Sequence, residues 1–373
     1  MVVHYPRGVS TEPTASGRSP SETTARASLT RVHRLTTTER GLESLSLGAA
    51  TVALLVVAAL AVPVFRLASA PIAGDGSVGQ FSAIAAAAVA PITFIGARFV
   101  RPEHRRPGGL HILDWLDLFA LALAHAVIAL LTWTLLADIL GRGFIGAEVY
   151  PLAVLVLAGS VSGVTAYLVF FSATHMDLLM LAVVLAVFMA EGIIASMLAA
   201  SDPEWWRNNL SALGMTSNVS AMAFNLTLIA GGVLVTTLAR YVTVNIPTSN
   251  PRGLRWVRGS IVAIGVLLAF VGVFPVDRFW FLHTASAAGM ALAFGLLAVM
   301  LRRWIPEMPR PLAAAGWLFF GAMVVLGVLY AIGYYTLTAV ELVAGVLLFA
   351  WIIMLIRTSA ALAADATAGA DTV

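Results

Sequence analysis

Glu191, Asn225, His283 and Glu341 stand in stretches of sequence otherwise apolar enough to lie in hydrocarbon. An ionisable group there costs about 2.5–3.5 kcal/mol on insertion scales, so each needs a partner or a task. Carboxylate, amide and imidazole groups at one depth could together hold a lipid headgroup or a protonatable small solute. Glu191 is flanked by Met189, Ala190, Gly192 and Ile193, which offer it no relief. Asp277 and Arg278 sit between two apolar stretches. The bland alternative is that each side chain reaches toward water or bonds a neighbouring backbone carbonyl. His125 lies close to three helical turns beyond Asp114, so both share a face. They could serve a proton path, although a histidine bonded inside a helical bundle is the plainer reading. Asp114, Asp117 and Glu148 open apolar stretches, where a helix dipole favours carboxylates.

Other chemistries find no footing, and no catalytic residue, metal site or cofactor is expected. The seven histidines never fall at the i, i+4 spacing of a zinc helix. There is no cysteine, hence no thiol, disulfide or Cys-based metal site. Ser160-Val-Ser162-Gly163 has serine where an intramembrane serine protease wants its first glycine. No phosphate-cradling glycine loop stands at a strand–helix junction.

The elements that would position these side chains are membrane spans. Sixty per cent of the 373 residues are hydrophobic and 11% are charged, where a soluble domain carries about 25% charged. Ten stretches are long enough to cross a bilayer: 46–65, 78–98, 113–137, 147–171, 178–199, 218–239, 256–274, 280–301, 311–333 and 337–356. The expected fold class is therefore an all-α transmembrane bundle of ten spans, four plus six.

Arginine placement tests that count. All 22 basic residues are arginine. If the chain begins inside, only Arg66, Arg142, Arg207 and Arg278 fall outside. The other eighteen fall inside, in the tail and around 98–106, 240–258, 302–310 and 357. This positive-inside asymmetry predicts that both termini are cytoplasmic. Trp205, Trp206 and Trp280 fall near the outer boundary, and Trp115, Trp256, Trp304 and Trp317 near the inner one. The basic pI of 9.6 fits anionic lipid headgroups at the inner surface, not nucleic acid. Arginine without lysine, with abundant alanine and valine, reads as a high-GC bacterial bias. The expected location is a bacterial plasma membrane.

Residues 1–44, rich in Ser, Thr, Pro and Arg, and residues 359–373, rich in Ala and Asp, read as disordered tails. Between them are expected a four-helix unit over 45–172 and a six-helix unit over 178–358. The outer loop 200–217, with Pro203 and Trp205-Trp206, predicts a short interfacial helix. Gly159-Ser-Val-Ser-Gly163 is a GxxxG motif suited to helix packing, and less specifically to dimerisation.

The stretch 178–358 resembles the DUF998 family of six-helix membrane proteins. Ser211-Ala-Leu-Gly214 occurs in the loop after the unit's first helix, and Phe224-Asn225 early in the next. Gly272-Val-Phe-Pro275 ends the third, with His283 shortly after, and Glu341 enters the sixth. The resemblance implies a membrane protein with no assigned chemistry. A more distant similarity to the FRAG1/DRAM/Sfk1 proteins implies a link to membrane lipids. The candidate ligand-binding residues are thus Glu191, Asn225, His283, Glu341, Asp277 and Ser211, with membrane lipids or a small amphiphile as partners. Other readings are a proton-coupled secondary transporter using Glu191 or His125, and, below it, an intramembrane hydrolase or transferase using the His and Glu residues, His283 among them.

Overall fold

The computed structural model describes residues 38–100, 112–215, 219–244 and 246–370. Among them are ten helices, each long and apolar enough to cross a membrane. These are α1 (Glu39–Phe65), α2 (Val78–Arg98), α3 (Ile112–Gly143), α4 (Pro151–Thr174) and α5 (Leu178–Leu198). They continue as α6 (Val219–Val244), α7 (Pro251–Val273), α8 (Trp280–Trp304), α9 (Arg310–Ala331) and α10 (Leu337–Ala370). The protein is a multi-pass, all-α membrane protein. Its described sheet is one antiparallel pair, β1 (Ala70–Pro71) with β2 (Glu148–Val149), where Ser69 Oγ also donates to Glu148 at 2.5 Å.

Several boundaries differ from expectation, each for a local reason. Helix α1 begins at Glu39 because the Thr38 hydroxyl accepts from Gly41 N–H at 3.1 Å, capping the helix before its apolar run. Residues 1–37 of the expected tail, and Arg101, Arg105 and Arg106, lie outside the described residues. At the other end α10 runs to Ala370, through residues expected to be a tail. Its alanines are the best intrinsic helix formers, and they extend a helix already nucleated in the bundle. The expected interfacial helix in 200–217 is instead two 3-10 turns, Trp205–Arg207 and Leu210–Gly214.

One apolar core runs from Phe94 of α2 and Leu121 of α3, through Phe188 of α5 and Leu238 of α6, to Phe294 of α8 and Trp351 of α10. It does not break at the short 175–177 turn between the two expected units. Helix α1 reaches that core only at Leu45 and Ala49 and otherwise packs on α4, with Val57 and Ala61 against Ala158. The GxxxG glycines serve that contact. A Cβ on Gly159 would lie 2.7 Å from the Leu54 carbonyl oxygen, and one on Gly163 would lie 3.1 Å from that of Ala50. The motif's small face is spent within the chain. Helices α6 and α7 approach as closely, since a Cβ at Gly265 would meet the Gly232 carbonyl oxygen at 2.6 Å. Outward-facing Ile92, Leu152 and Leu318 are exposed, as a lipid-facing surface requires.

Candidate functional site

Alternation of the spans sorts the loops into an arginine-rich and an arginine-poor face. At the arginine-poor face the loop between α5 and α6 folds back over the helix ends. Its 3-10 turns leave main-chain groups unpaired, because i to i+3 bonds satisfy only part of so short a segment. Side chains from four places on three helices meet the segment, three at its main chain and one at the Ser211 hydroxyl. Glu341, one turn into α10, accepts from Leu210 N–H at 2.6 Å. Thr338, also on α10, donates to the Trp206 carbonyl at 2.6 Å. His283 of α8 lies 2.9 Å from the Ser211 hydroxyl. Asn225 of α6 donates to the Gly214 carbonyl at 3.1 Å. Asn225 comes this close because Gly214 has no side chain; a Cβ there would lie 2.5 Å from Asn225 Oδ1.

The chemistry of His283 is fixed by its second nitrogen. Nδ1 lies 2.9 Å from the Phe274 carbonyl, an acceptor only, so Nδ1 carries the hydrogen. In the neutral ring Nε2 is then an acceptor, and Ser211 donates to it. Beneath the loop Ser220 Oγ donates to the Ser196 carbonyl at 2.8 Å, tying α6 to α5. Beside it lies a cavity of about 160 Å³, lined among others by Asp202, Trp205, Asn208, Ala212 and Ser220. The Asn209 side-chain oxygen of this loop is buried without a partner.

Of the six candidate residues, then, the structure brings Ser211, Asn225, His283 and Glu341 together on one five-residue turn. Asp277 is exposed, 3.9 Å from exposed Arg278, and makes no described bond to the turn. Glu191 is elsewhere. Its Oε1 accepts from Thr132 of α3 at 2.8 Å, and its Oε2 is buried without a hydrogen-bond partner. It belongs to the contact between α3 and α5.

Thr132 and Thr338 carry weight that the sequence reading did not assign. Threonine in an apolar helix gives little signal, because its hydroxyl can bond its own i−4 carbonyl. Arg240 was counted for topology alone. It donates to both Asp114 at 2.9 Å and Asp117 at 2.8 Å, joining α6 to α3 at the arginine-rich face. Those aspartates are therefore more than dipole-compensating carboxylates. His125 is the bonded core histidine of the plainer reading. Its Nδ1 meets the Leu121 carbonyl at 2.7 Å and its Nε2 meets Ser172 Oγ at 2.9 Å.

The Ser211–His283 pair has the spacing a serine nucleophile needs from its base. The same spacing recurs at Ser172–His125 between two helices, so the geometry by itself does not select a nucleophile. What the arginine-poor cluster offers more distinctively is a set of directed donors and acceptors at a membrane surface. Among the described residues no group of acidic or histidine side chains could hold a metal ion.

Residues 180–358 match the family model described as protein of unknown function (DUF998). No curated protein and no solved structure matches the chain.

Proposed function

Taking as premise that the chain belongs, through residues 180–358, to the DUF998 family of unknown function, we propose that it binds the polar end of a lipid or small amphiphile at its arginine-poor face. The arginine asymmetry supports reading that face as the outer one, and the arginine-without-lysine composition supports a bacterial plasma membrane. The observation that carries the reading is the convergence of Asn225, His283, Thr338 and Glu341, from three helices, on the turn 210–214 and its neighbour Trp206. Buried polar side chains in a membrane protein mark sites by default, because hydrocarbon makes them costly. The adjoining cavity of about 160 Å³ has room for a headgroup but not for a whole lipid, so acyl chains would lie along the helices.

Native mass spectrometry of the purified protein tests this. The wild type should retain a lipid that Glu341→Ala and Asn225→Ala each lose, while Asp277→Ala, outside the cluster, retains it. Identical lipid retention in all four proteins would end the reading.

A specific feature keeps the transporter reading alive as second. The buried, unpartnered Oε2 of Glu191 is a proton-binding position between α3 and α5. Uptake into liposomes that responds to pH, and is lost in Glu191→Gln, would move it to first place.

A further inference from the structure

The loop satisfies the cluster so completely that it describes what could replace it. Leu210 gives a main-chain N–H to the Glu341 carboxyl group, and Ser211 gives a hydroxyl to His283 Nε2. Gly214 and Trp206 give carbonyl oxygens to the Asn225 amide and the Thr338 hydroxyl. An incoming molecule that displaced the turn 210–214 would strand Glu341, His283 and Asn225 unless it restored their bonds, while Thr338 would keep its partner Trp206 outside the turn. Leaving a buried polar group unpaired costs more than an ordinary hydrogen bond contributes. A site built around such groups therefore rejects analogues that lack them far more strongly than it rejects changes in apolar bulk.

We propose that the turn 210–214 is a built-in pseudo-ligand, and that the molecule which displaces it is a neutral amphiphile with an amide N–H, a hydroxyl and a carbonyl, an N-acyl amino alcohol. This rests on the binding reading above and names its ligand class and its gate. The amide supplies the donor that Glu341 takes from Leu210. The hydroxyl replaces that of Ser211, and the carbonyl meets Asn225. A neutral headgroup is required because a carboxylate or phosphate would face Glu341 directly. The turn can yield because it is short, draws its polar bonds from side chains outside itself, and already buries the unpaired Asn209 oxygen; its apolar anchor is Leu213, which displacement must lift from the core.

The probe pair is N-palmitoylethanolamine and its ester counterpart 2-hydroxyethyl palmitate, which differ only in the N–H. Their binding to detergent-purified protein is read by competition and by the fluorescence of Trp205 and Trp206. The amide should bind about tenfold or more tightly than the ester. In Glu341→Ala that preference should vanish, and in Asp277→Ala, outside the cluster, it should persist. The absence of cysteine allows Ala212→Cys to report on the turn through a membrane-impermeant maleimide. Labelling should accelerate with the amide and not with the ester.

Equal binding of amide and ester to the wild type, or amide binding with no change in labelling, overturns the pseudo-ligand while amphiphile binding stands. If neither probe binds the wild type or Asp277→Ala, this inference falls, and lipid retention in native mass spectrometry decides the binding reading separately. The wild-type comparison of amide with ester, together with the Ala212→Cys labelling, keeps the test decisive should Glu341→Ala not fold.

Discussion

The chain builds the same small device twice, with opposite mechanical consequences. In the first half His125 joins Ser172, and in the second His283 joins Ser211; both Nε2–Oγ distances are 2.9 Å. In each ring Nδ1 is spent on a backbone carbonyl, and each ring is buried. His125, however, bridges α3 and α4, whose backbones are internally satisfied, and it packs on Phe94 with ring centroids 4.6 Å apart. His283 holds a 3-10 turn whose main chain depends on bonds from elsewhere. The first pair fastens two elements that would be stable regardless; the second positions one that would not. Local chemistry does not decide whether a bond is structural or a latch. The stability of what it holds does.

The comparison breaks most readily at the first histidine. His125→Ala removes a buried ring between helices and strands the Ser172 hydroxyl, so a loss of about 2–4 kcal/mol is expected. It should appear as a lower unfolding temperature in detergent, with protection of the 205–215 amides unchanged. His283→Ala should do the reverse. Hydrogen exchange across 205–215 should accelerate, while the unfolding temperature falls by less than half as much. Equal falls in both variants, or no local exchange in the second, would mean that the two pairs are mechanically equivalent.

The arginine-rich face sharpens the contrast with an ion triad. Arg240, Asp114 and Asp117 join the first half to the second, and the Arg240 side chain is 34% exposed. That exposure places Arg240→Ala below the cost of breaking a fully buried pair, at about 2 kcal/mol. The triple change Arg240→Ala, Asp114→Asn and Asp117→Asn should recover part of the loss, because it no longer leaves two neighbouring carboxylates without their guanidinium. A triple variant less stable than the single one contradicts the pairing.

These contacts show where the sequence was readable. Ten spans were legible because length and hydropathy are properties of each segment alone, and the arginines gave an independent check on the count. The depth of Asn225, His283 and Glu341 was legible too, since rise per residue fixes depth along a helix. Azimuth was not. Glu191 was placed at that same depth but points toward Thr132 of α3, and depth carries no information about which neighbour a helix face meets. Nor could the partner of the cluster be read: the polar groups were expected to hold a headgroup or solute, whereas the loop's own main chain and the Ser211 hydroxyl fill the place. Main-chain donors leave no trace in residue type. The helical end of α10 was missed for a simpler reason, because Ala-rich sequence reads as a small-residue tail unless a bundle nucleates it.

Glu191 tests the azimuthal lesson with a smaller effect. Glu191→Gln preserves an oxygen for Thr132 and replaces the unpartnered carboxyl oxygen with an amide. Stability should therefore stay within about 0.5 kcal/mol of the wild type or rise slightly. Amphiphile binding at the loop should be unaffected, since no described bond connects the two places. A loss of that binding would return Glu191 to the cluster.

The smallest expected effect comes from the arginine-rich counterpart of the Glu341 clamp. Glu307, between α8 and α9, accepts from Thr248 Oγ1 at 3.0 Å and from Ser249 N–H at 3.2 Å, holding the loop before α7. Its own main-chain N–H, then that of Ser249 and the two hydroxyls, hold its carboxyl below the ordinary value of 4.5. A carboxyl whose folded value is depressed contributes stability above the unfolded value and loses it as pH falls through the folded one. Wild type should therefore exceed Glu307→Gln in unfolding temperature at neutral pH. The difference should shrink as pH drops below about 4.5. Because Glu307 is exposed, solvent screening keeps the difference small. A pH-independent difference would show that the Glu307 bonds work through shape rather than charge, and that a carboxylate clamp on a loop does not by itself make the loop a switch.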